Sequence, residues 1–586
     1  MKKSINTDWD GLADSSGFYV TIDTTIQYQT LKGFAASDAW SCEHVGKNWD
    51  NDKKEQIANW LFNRDFDSNG NPKGIGLSQW RINFGSGSCE QGNAGMIGVS
   101  NNPDEANPNP LSPWPQRAEC FLADINNPKG AKNNPQNPDA ELYTHPASGF
   151  VYDFSKAKGQ QYFLKKAKEM GVEKFIGFSN SPLVCWTKNG WATNAHEDSV
   201  AGEKYKSRGK TANLKEVHYA DFAAYLADVA DYWASKGFRF DYISPVNEPQ
   251  WEWDGEGQEG SPWLNPEIAR ITKELDLAIR DDKRVNINAD NTKIMIAEAG
   301  AWGYAYGGTD EFSNQISAFF DPANTETYVG DLPTLQPKIF AGHSYWSHPD
   351  DTALMDSRLE LKKASEALGV DSWNTEWSGL QGGTGLNFEN FSYFDTALFM
   401  AKVIFADLTI GNLGSWAYWT ALGTEMWGHK DRFTLIGLYP GADFADLTSP
   451  HNNIITKTGH IKSQPTLWAL GNYSLFIRPG FKRINISSAN ESLDDFNGLM
   501  ASAYVSEDSS RIVAVYVNYK KNSFRLAAKF SDSRIPTNIR CYCTDEKNTN
   551  NNSDEGGGLG LRWERHLNGQ IIVPARSIYT VVYDFD

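Results

Sequence analysis

Between Leu31 and Thr420 short apolar runs alternate with longer amphipathic ones. The apolar runs are Leu31–Ser37, Gly74–Phe84, Lys174–Asn180, Phe238–Glu248, Lys293–Glu298, Lys338–Trp346, Val370–Glu376 and Gly414–Thr420, and each reads as a strand. The runs between them repeat apolar residues at helical spacing, most clearly in Lys53–Asn63, Lys158–Met170, Tyr219–Lys236, Pro266–Ile279, Ala353–Leu368 and Tyr393–Leu408. Tyr219–Lys236 shows the pattern best, with apolar residues at i, i+3, i+4 and i+7. Strand and helix units in unbroken succession predict a (β/α)8 TIM barrel rather than an open doubly wound sheet. No GxGxxG follows the first strand, which speaks against a dinucleotide site.

Two regions depart from that alternation. Residues 85–149 are rich in Asn, Pro and Gly, and in a barrel they would follow the second strand on the face where sites are built. They read either as part of a site or as a solvated insertion on its rim. After about Pro440 the pattern becomes short alternating strands: Arg511–Asn518, Phe524–Phe530, Asn538–Cys543 and Ser577–Tyr583, with polar spacers such as that at 548–558. Phe18–Gln29 alternates in the same way. The expected architecture is therefore α/β, with a barrel over residues 31–440. An antiparallel β-sandwich would be built from 441–586 plus an N-terminal strand within 1–30.

Composition narrows the class of partner. The chain has 586 residues, 40% of them hydrophobic, and a formal net charge of −18. That balance argues against nucleic acid or an anionic membrane. No run approaches the ~18 apolar residues of a membrane span. The start, MKKSINTDWDG, is basic but has no apolar stretch behind it, so no signal peptide is visible. The 21 Trp suit either cores or surfaces that stack on sugar rings. The six Cys are too sparse for a disulfide scaffold and lack zinc spacing. Cys541 and Cys543 read as buried strand residues. One or two bridges among Cys42, Cys89 and Cys120 stay open.

Two carboxylates stand at expected strand ends, Glu248 in DYISPVNEPQW and Glu376 in DSWNTEWSGL. Glycoside hydrolysis needs such a pair, one to protonate the leaving oxygen and one to attack carbon or activate water. A strand-end carboxylate without a catalytic role is the plain alternative, and two in these contexts weigh against it. Glu298, in IAEAG, is the rival carboxylate. Arg81 also fits a buried ion pair, and His343 a core histidine. Trp416 and Trp419 stand at i, i+3, which puts only one of them toward a pocket. Asp350 and the loop residues Glu252, Asp254, Glu256 and Glu259 read as a solvated rim, with Trp251 and Trp253 as sugar platforms and calcium as a further option.

With these residues the chain resembles the clan A retaining glycosidases, and more finely glycoside hydrolase family 30. The resemblance rests on NEP at 247–249, NTEWS at 374–378 and HSY at 343–345. It extends to GFAASDAW at 33–40, GIGLSQWRINFGSGS at 74–88, SNSPLVCWTKNG at 179–190, SWAYWTAL at 415–422 and GNYSLFIRPGFKRI at 471–484. It implies Glu248 as general acid/base and Glu376 as nucleophile. It also implies Asn247 on the sugar 2-OH, Arg81 beside the nucleophile, Tyr345 hydrogen-bonded to it with His343 on the same side of the strand, Asp38 on sugar hydroxyls and Trp419 as the subsite platform. It implies a side β-structure built from both termini, which agrees with the reading of the pattern. One departure stands out: Ser181-Pro182 is followed by Leu183-Val184, and Trp186 comes later than in the glucosylceramidase-like branch. That leaves the branch's strand-three stacking contact unmatched, while SNSP at 179–182 with NEPQW and QEGSP within 247–262 resembles the endo-β-1,6-galactanase-like branch, with Asn180 as a sugar contact.

The expected function is retaining hydrolysis of a β-linked polysaccharide, first of all β-1,6-galactan, without cofactor or metal. The alternatives are xylan, β-1,6-glucan, an exo-acting β-fucosidase or β-xylosidase, and a non-catalytic carbohydrate-binding protein. The expected partner is the polysaccharide or oligosaccharide alone, with no nucleic acid and no membrane insertion. The chain is expected to be a monomer, secreted or periplasmic.

Overall fold

Strand ends that carry polar residues must lie side by side if they are to make one site, so the lateral order of the strands comes first. The computed structural model describes residues 17–98, 116–130, 139–200, 205–255, 257–348, 350–380, 388–424, 433–439, 459–550, 560–564, 566 and 570–586. Within them, parallel strands form two sheets. One has the order Gly33–Ala36, Ser415–Tyr418, Asp371–Glu376, Ile339–His343, Ile296–Ala299. The other has the order Gln79–Asn83, Lys174–Phe178, Tyr242–Ser244, Lys293–Ile294.

The sheets meet along two seams. At one, Met295 alone separates Lys293–Ile294 from Ile296–Ala299, so a single run of chain pairs with both sheets. At the other, Ser37 bridges Arg81 in parallel, Ser78 N donates to Phe34 O at 3.1 Å and Asp38 N to Arg81 O at 2.9 Å. The lateral order thus follows chain order through all the expected strands. These strands are buried along nearly their whole length and rich in Ile, Ala, Phe and Trp, as strands covered on both faces are.

The helices between them have chemical stops. Asp350 caps Asp351–Leu368 by accepting from Ala353 N at 2.8 Å, and Gly369 ends it at φ 65°. Asp350, expected on a solvated rim, is therefore an exposed helix cap. Ser392 and Asp395 form a reciprocal capping box on Tyr393–Thr409.

Apart from the pair Leu142–Thr144 and Val151–Asp153 and a three-stranded sheet of Leu422–Gly423, Ile436–Tyr439 and His460–Ser463, the remaining strands form one nine-stranded sheet. Its order is Arg562–Glu564, Asn538–Asp545, Ser577–Asp584, Arg511–Asn518, Leu499–Val505, Lys482–Ser487, Gly17–Thr30, Phe524–Phe530, Ile571–Val573. The N-terminal strand joins it, antiparallel to Lys482–Ser487 and parallel to Phe524–Phe530. The expected sandwich of two sheets is in fact one continuous sheet that curls. Phe530 and Tyr583 belong to strands four positions removed from contact, yet their rings lie 5.2 Å apart. The curl encloses Val20, Ile22, Leu499, Ala514, Cys541, Cys543 and Val581.

Other expectations change. All six cysteines are free thiols, so the bridges left open among Cys42, Cys89 and Cys120 do not form; Cys120 Sγ lies 3.5 Å from Glu90 instead. A helix, Pro465–Ser474, stands where only strands were expected, with Pro at its first position and every residue buried. It packs between the Tyr393–Thr409 helix and the nine-stranded sheet, where Thr580 Oγ1 bonds Asn472 O at 2.9 Å. The expected boundary at 440–441, most of the polar spacer at 548–558 and much of the 85–149 segment lie outside the described residues. Among the described residues no helix is long and apolar enough to cross a membrane.

Candidate active site

The two sheets present their carboxyl-terminal strand ends together, and parallel strands collect ligand-binding residues at such ends. His343 and Glu376 are register partners on neighbouring strands. Arg81, Asn247, Glu248 and Glu298 come from the other ends. Arg81 Nη1 donates to Glu376 Oε1, its Nη2 donates to Asn247 Oδ1 at 3.3 Å, and Nη2 lies 3.5 Å from Glu298 Oε2. The guanidinium also stacks on the Phe178 ring, 3.6 Å from its centroid. His343 Nδ1 lies 2.8 Å from Glu248 Oε1 and 3.5 Å from Glu376 Oε2, and its Nε2 lies 3.2 Å from Glu298 Oε2. Oxygens of Glu248 and Glu376 lie within 4.8 Å of each other and of the imidazole.

The backbone is held unusually here. Glu248 has φ 41°, Glu298 φ 53° and Trp346 φ 56°, left-handed values that cost non-glycine residues roughly 1–3 kcal/mol each. Glu248 N donates to Glu298 O at 2.9 Å, which ties two of these positions together.

The electrostatics follow from burial opposed by pairing. Burial would raise the Glu298 carboxyl, but the Arg81 charge and hydrogen bonds from His343 and Ser244 bring it down to about 2. Thr375 Oγ1 donates to it as well. Burial would lower the His343 imidazole, but the Glu376 charge and its bonds to Glu248 and Glu298 raise it to about 10. That direction favours the charged ring, in which both nitrogens donate, one toward Glu248 and one toward Glu298. Burial pushes the Glu376 carboxyl above its ordinary value, against the pull of His343 and Arg81. Glu248, His343 and Glu376 are spaced to offer three donor atoms to a metal ion. A metal there would have to displace a proton from a histidine its neighbours hold charged.

The other expected residues fall into place unequally. Asp38 is buried beside Arg81, but its oxygens already accept from Asn83 N at 3.0 Å and Gln160 Nε2 at 2.8 Å. Burial raises its carboxyl to about 7. Asn180 Nδ2 makes a long 3.4 Å bond to Asn83 Oδ1, while Asn180 Oδ1 and Asn83 Nδ2 have no partner among the described residues. Trp419 sits edge-on to Trp40 at 5.2 Å and to Phe178 at 6.2 Å, so it borders the Arg81 side. Trp416 is core, its Nε1 donating to Asp407 at 2.8 Å. Tyr345 lies 5.7 Å from the His343 ring, as period two requires. Its hydroxyl makes no hydrogen bond to Glu376, contrary to expectation, because it is buried beside that carboxylate without reaching it. Trp186 packs in the core against Phe150 and Tyr225.

Glu259 overturns the solvated rim. It is fully buried and accepts from Ser86 N at 3.0 Å, Ser88 N at 3.2 Å and Ser88 Oγ at 2.6 Å, which anchors the start of the 85–149 segment. Burial raises it to about 7 against those bonds. Glu252 and Asp254 are half-buried, and Glu256 lies outside the described residues. The part of Glu298 in tying Arg81 to His343 was legible only as a strand-end carboxylate. Trp346 carried no signal beyond its place next to Tyr345.

A protein-family model described as O-glycosyl hydrolase family 30 matches residues 18–137 and 140–433. The endo-β-1,6-galactanase of Hypocrea rufa is 24% identical over 422 residues, covering 70% of this chain and 68% of that protein. The crystal structure of a conserved exported protein from Bacteroides fragilis is 29% identical, with a TM-score of 0.77 over 96% of this chain and 100% of that one. The catalytic domain of GH30 xylanase C from Talaromyces cellulolyticus is 17% identical, with a TM-score of 0.58 over 96% of this chain and 99% of that one, a likeness of fold.

Proposed function

Because the chain belongs to O-glycosyl hydrolase family 30, we propose that it cleaves a β-linked glycan with retention, by double displacement between Glu376 and Glu248. The observation that carries this is the spacing of the two carboxylates, within 4.8 Å at their nearest oxygens. A gap of about 5–5.5 Å suits direct attack on carbon, and about 6.5–9.5 Å is needed to seat a water. We read the two parallel sheets as one closed (β/α)8 barrel over about residues 31–440. The side domain, over 1–30 and 441–586, is read as built around the curled sheet, whose strands lie within 17–30 and 482–584.

In the first step a Glu376 oxygen attacks the anomeric carbon as the bond to the leaving sugar breaks and Glu248 protonates the departing oxygen. Arg81 occupies Oε1 of Glu376, which leaves Oε2 to attack. Arg81 also holds Asn247 by its carbonyl oxygen, so the amide nitrogen is the group offered to the sugar 2-OH. In the second step Glu248 takes a proton from water, which attacks the same carbon and releases Glu376. Forming the ester removes one negative charge beside His343 and Glu248. Asp38, Asn180 and Trp419, on the Arg81 side, are read as glycone contacts. Asp38 acts there mainly by holding Asn83.

The substrate we favour is β-1,6-galactan, which the Hypocrea rufa enzyme supports. The exported Bacteroides fragilis protein supports a periplasmic or secreted location. The test is a hydrolysis screen on β-1,6-galactan, debranched arabinogalactan, xylan and pustulan, with Glu376→Gln as the blank. Oligosaccharides from galactan, absent in the blank, are expected. Turnover by Glu376→Gln would overturn the assignment of the nucleophile.

A further inference from the structure

Beyond Glu248, on the side away from Arg81, stands an aromatic cluster that the two-step chemistry does not use. The Trp251 ring lies 6.4 Å from that of Trp346 and 6.3 Å from that of Tyr304. The three rings come from the segments that follow the strands Tyr242–Ser244, Ile296–Ala299 and Ile339–His343. Trp346 is 40% exposed although the chain adopts a left-handed φ of 56° to place it. A bulky apolar residue both strained and exposed does not serve the core.

Gly300 joins this cluster to the chemistry. A Cβ there would lie 2.8 Å from Trp251 Nε1 and 3.4 Å from Glu248 Cγ. The indole edge and the stem of Glu248 therefore share the space over one glycine. Among the described residues Trp251 Nε1 donates to no protein group, so its N–H is available. Trp253, the other tryptophan of this loop, is already used: its Nε1 donates to Glu248 O at 3.0 Å and its ring lies against Gly260.

We propose that Trp251 and Trp346, backed by Tyr304, form the platform for the leaving sugar. A pyranose would lay its carbon-bound hydrogens on the rings and offer a hydroxyl to the Trp251 N–H. The assignment of sides rests on the proposed function, because the platform adjoins the group that protonates the leaving oxygen. Asn180, Trp419 and Phe178 lie on the opposite side, around Arg81.

The experiment compares two substrates of one glycone, β-1,6-galactotetraose and β-1,6-galactobiosyl β-fluoride. Fluoride leaves without occupying a sugar site. Trp346→Ala and Trp251→Ala should each lower kcat/KM on the tetraose by about tenfold or more and change it less than twofold on the fluoride. Trp346→Phe should restore most of the loss, which controls for damage to the fold. Equal losses on both substrates, or no loss on either, would overturn the platform while leaving the function intact. A wild type inert on both substrates would refute β-1,6-galactan as the substrate, and with it the platform for its leaving sugar.

Discussion

Two buried networks in this protein use nearly the same parts. In one, His343 lies between Glu248 and Glu298, and Arg81 pairs with Glu298 and Glu376. In the other, His145 lies 3.1 Å from Asp228 and 3.2 Å from Asp231, and Arg284 Nη2 pairs with Asp228 at 2.7 Å. They differ in what is left over. Asp228 Oδ1 takes Arg284 and His145, and its Oδ2 takes Ser148 and Tyr152. Asp231 is filled by His145 and Asn286. Glu248 keeps Oε2 without a protein partner among the described residues, and Glu376 Oε2 has only His343, at 3.5 Å. Saturated carboxylates fasten the Tyr219–Ser235 helix to the 145–152 turn. Unsaturated ones, side chains 12% and 5% exposed, keep oxygen lone pairs that can accept from a further group.

If that difference is the one that matters, substitutions in the two networks should fail in opposite ways. Glu376→Gln should lower kcat by about four orders of magnitude or more with an unchanged circular dichroism spectrum. Asp228→Ala should do the reverse. Leaving Arg284 and His145 buried without their partner should cost about 3–5 kcal/mol in denaturant unfolding, with the kcat of the folded enzyme held within twofold. A large fall in kcat for folded Asp228→Ala would break the comparison.

Glu298→Gln sharpens it, because Glu298 is the saturated member of the active network. Without that charge the imidazole of His343 should lose its proton at lower pH. The midpoint of the His343 ring-proton NMR signals should move down by about one pH unit or more against wild type. A further effect is expected on stability. His343 is raised to about 10 in the fold from an ordinary 6.5. The stability it contributes should be fully present below about pH 6.5 and lost as pH rises toward 10. Urea unfolding of wild type and His343→Gln across that range should show a gap that closes with rising pH; a gap that widens would contradict the charged imidazole.

The strands were legible because each apolar run is short and bounded by polar spacers, and Glu248 and Glu376 stood out because they close two of those runs. Arg81 and His343, inside their runs, were marked by the family resemblance. Spacing alone could not show their pairing, since Arg81 meets Glu376 across 295 residues of chain. Glu259 read as solvated because its loop is acidic and glycine-rich, yet backbone donors at Ser86 and Ser88 draw it inside. The Pro465–Ser474 helix was missed because it is buried on every side and so has no amphipathic period to read. Trp346 escaped for a different reason: its left-handed backbone takes it out of the strand alternation.

Whether Glu376 or water attacks first is recorded in the stereochemistry of the product. Proton NMR during digestion of β-1,6-galactotetraose reads it. With carboxylate oxygens within 4.8 Å, the newly formed reducing end should appear first as the β-anomer, with the α-anomer growing in only by mutarotation. First appearance of the α-anomer would mean inversion and would overturn the double displacement between Glu376 and Glu248.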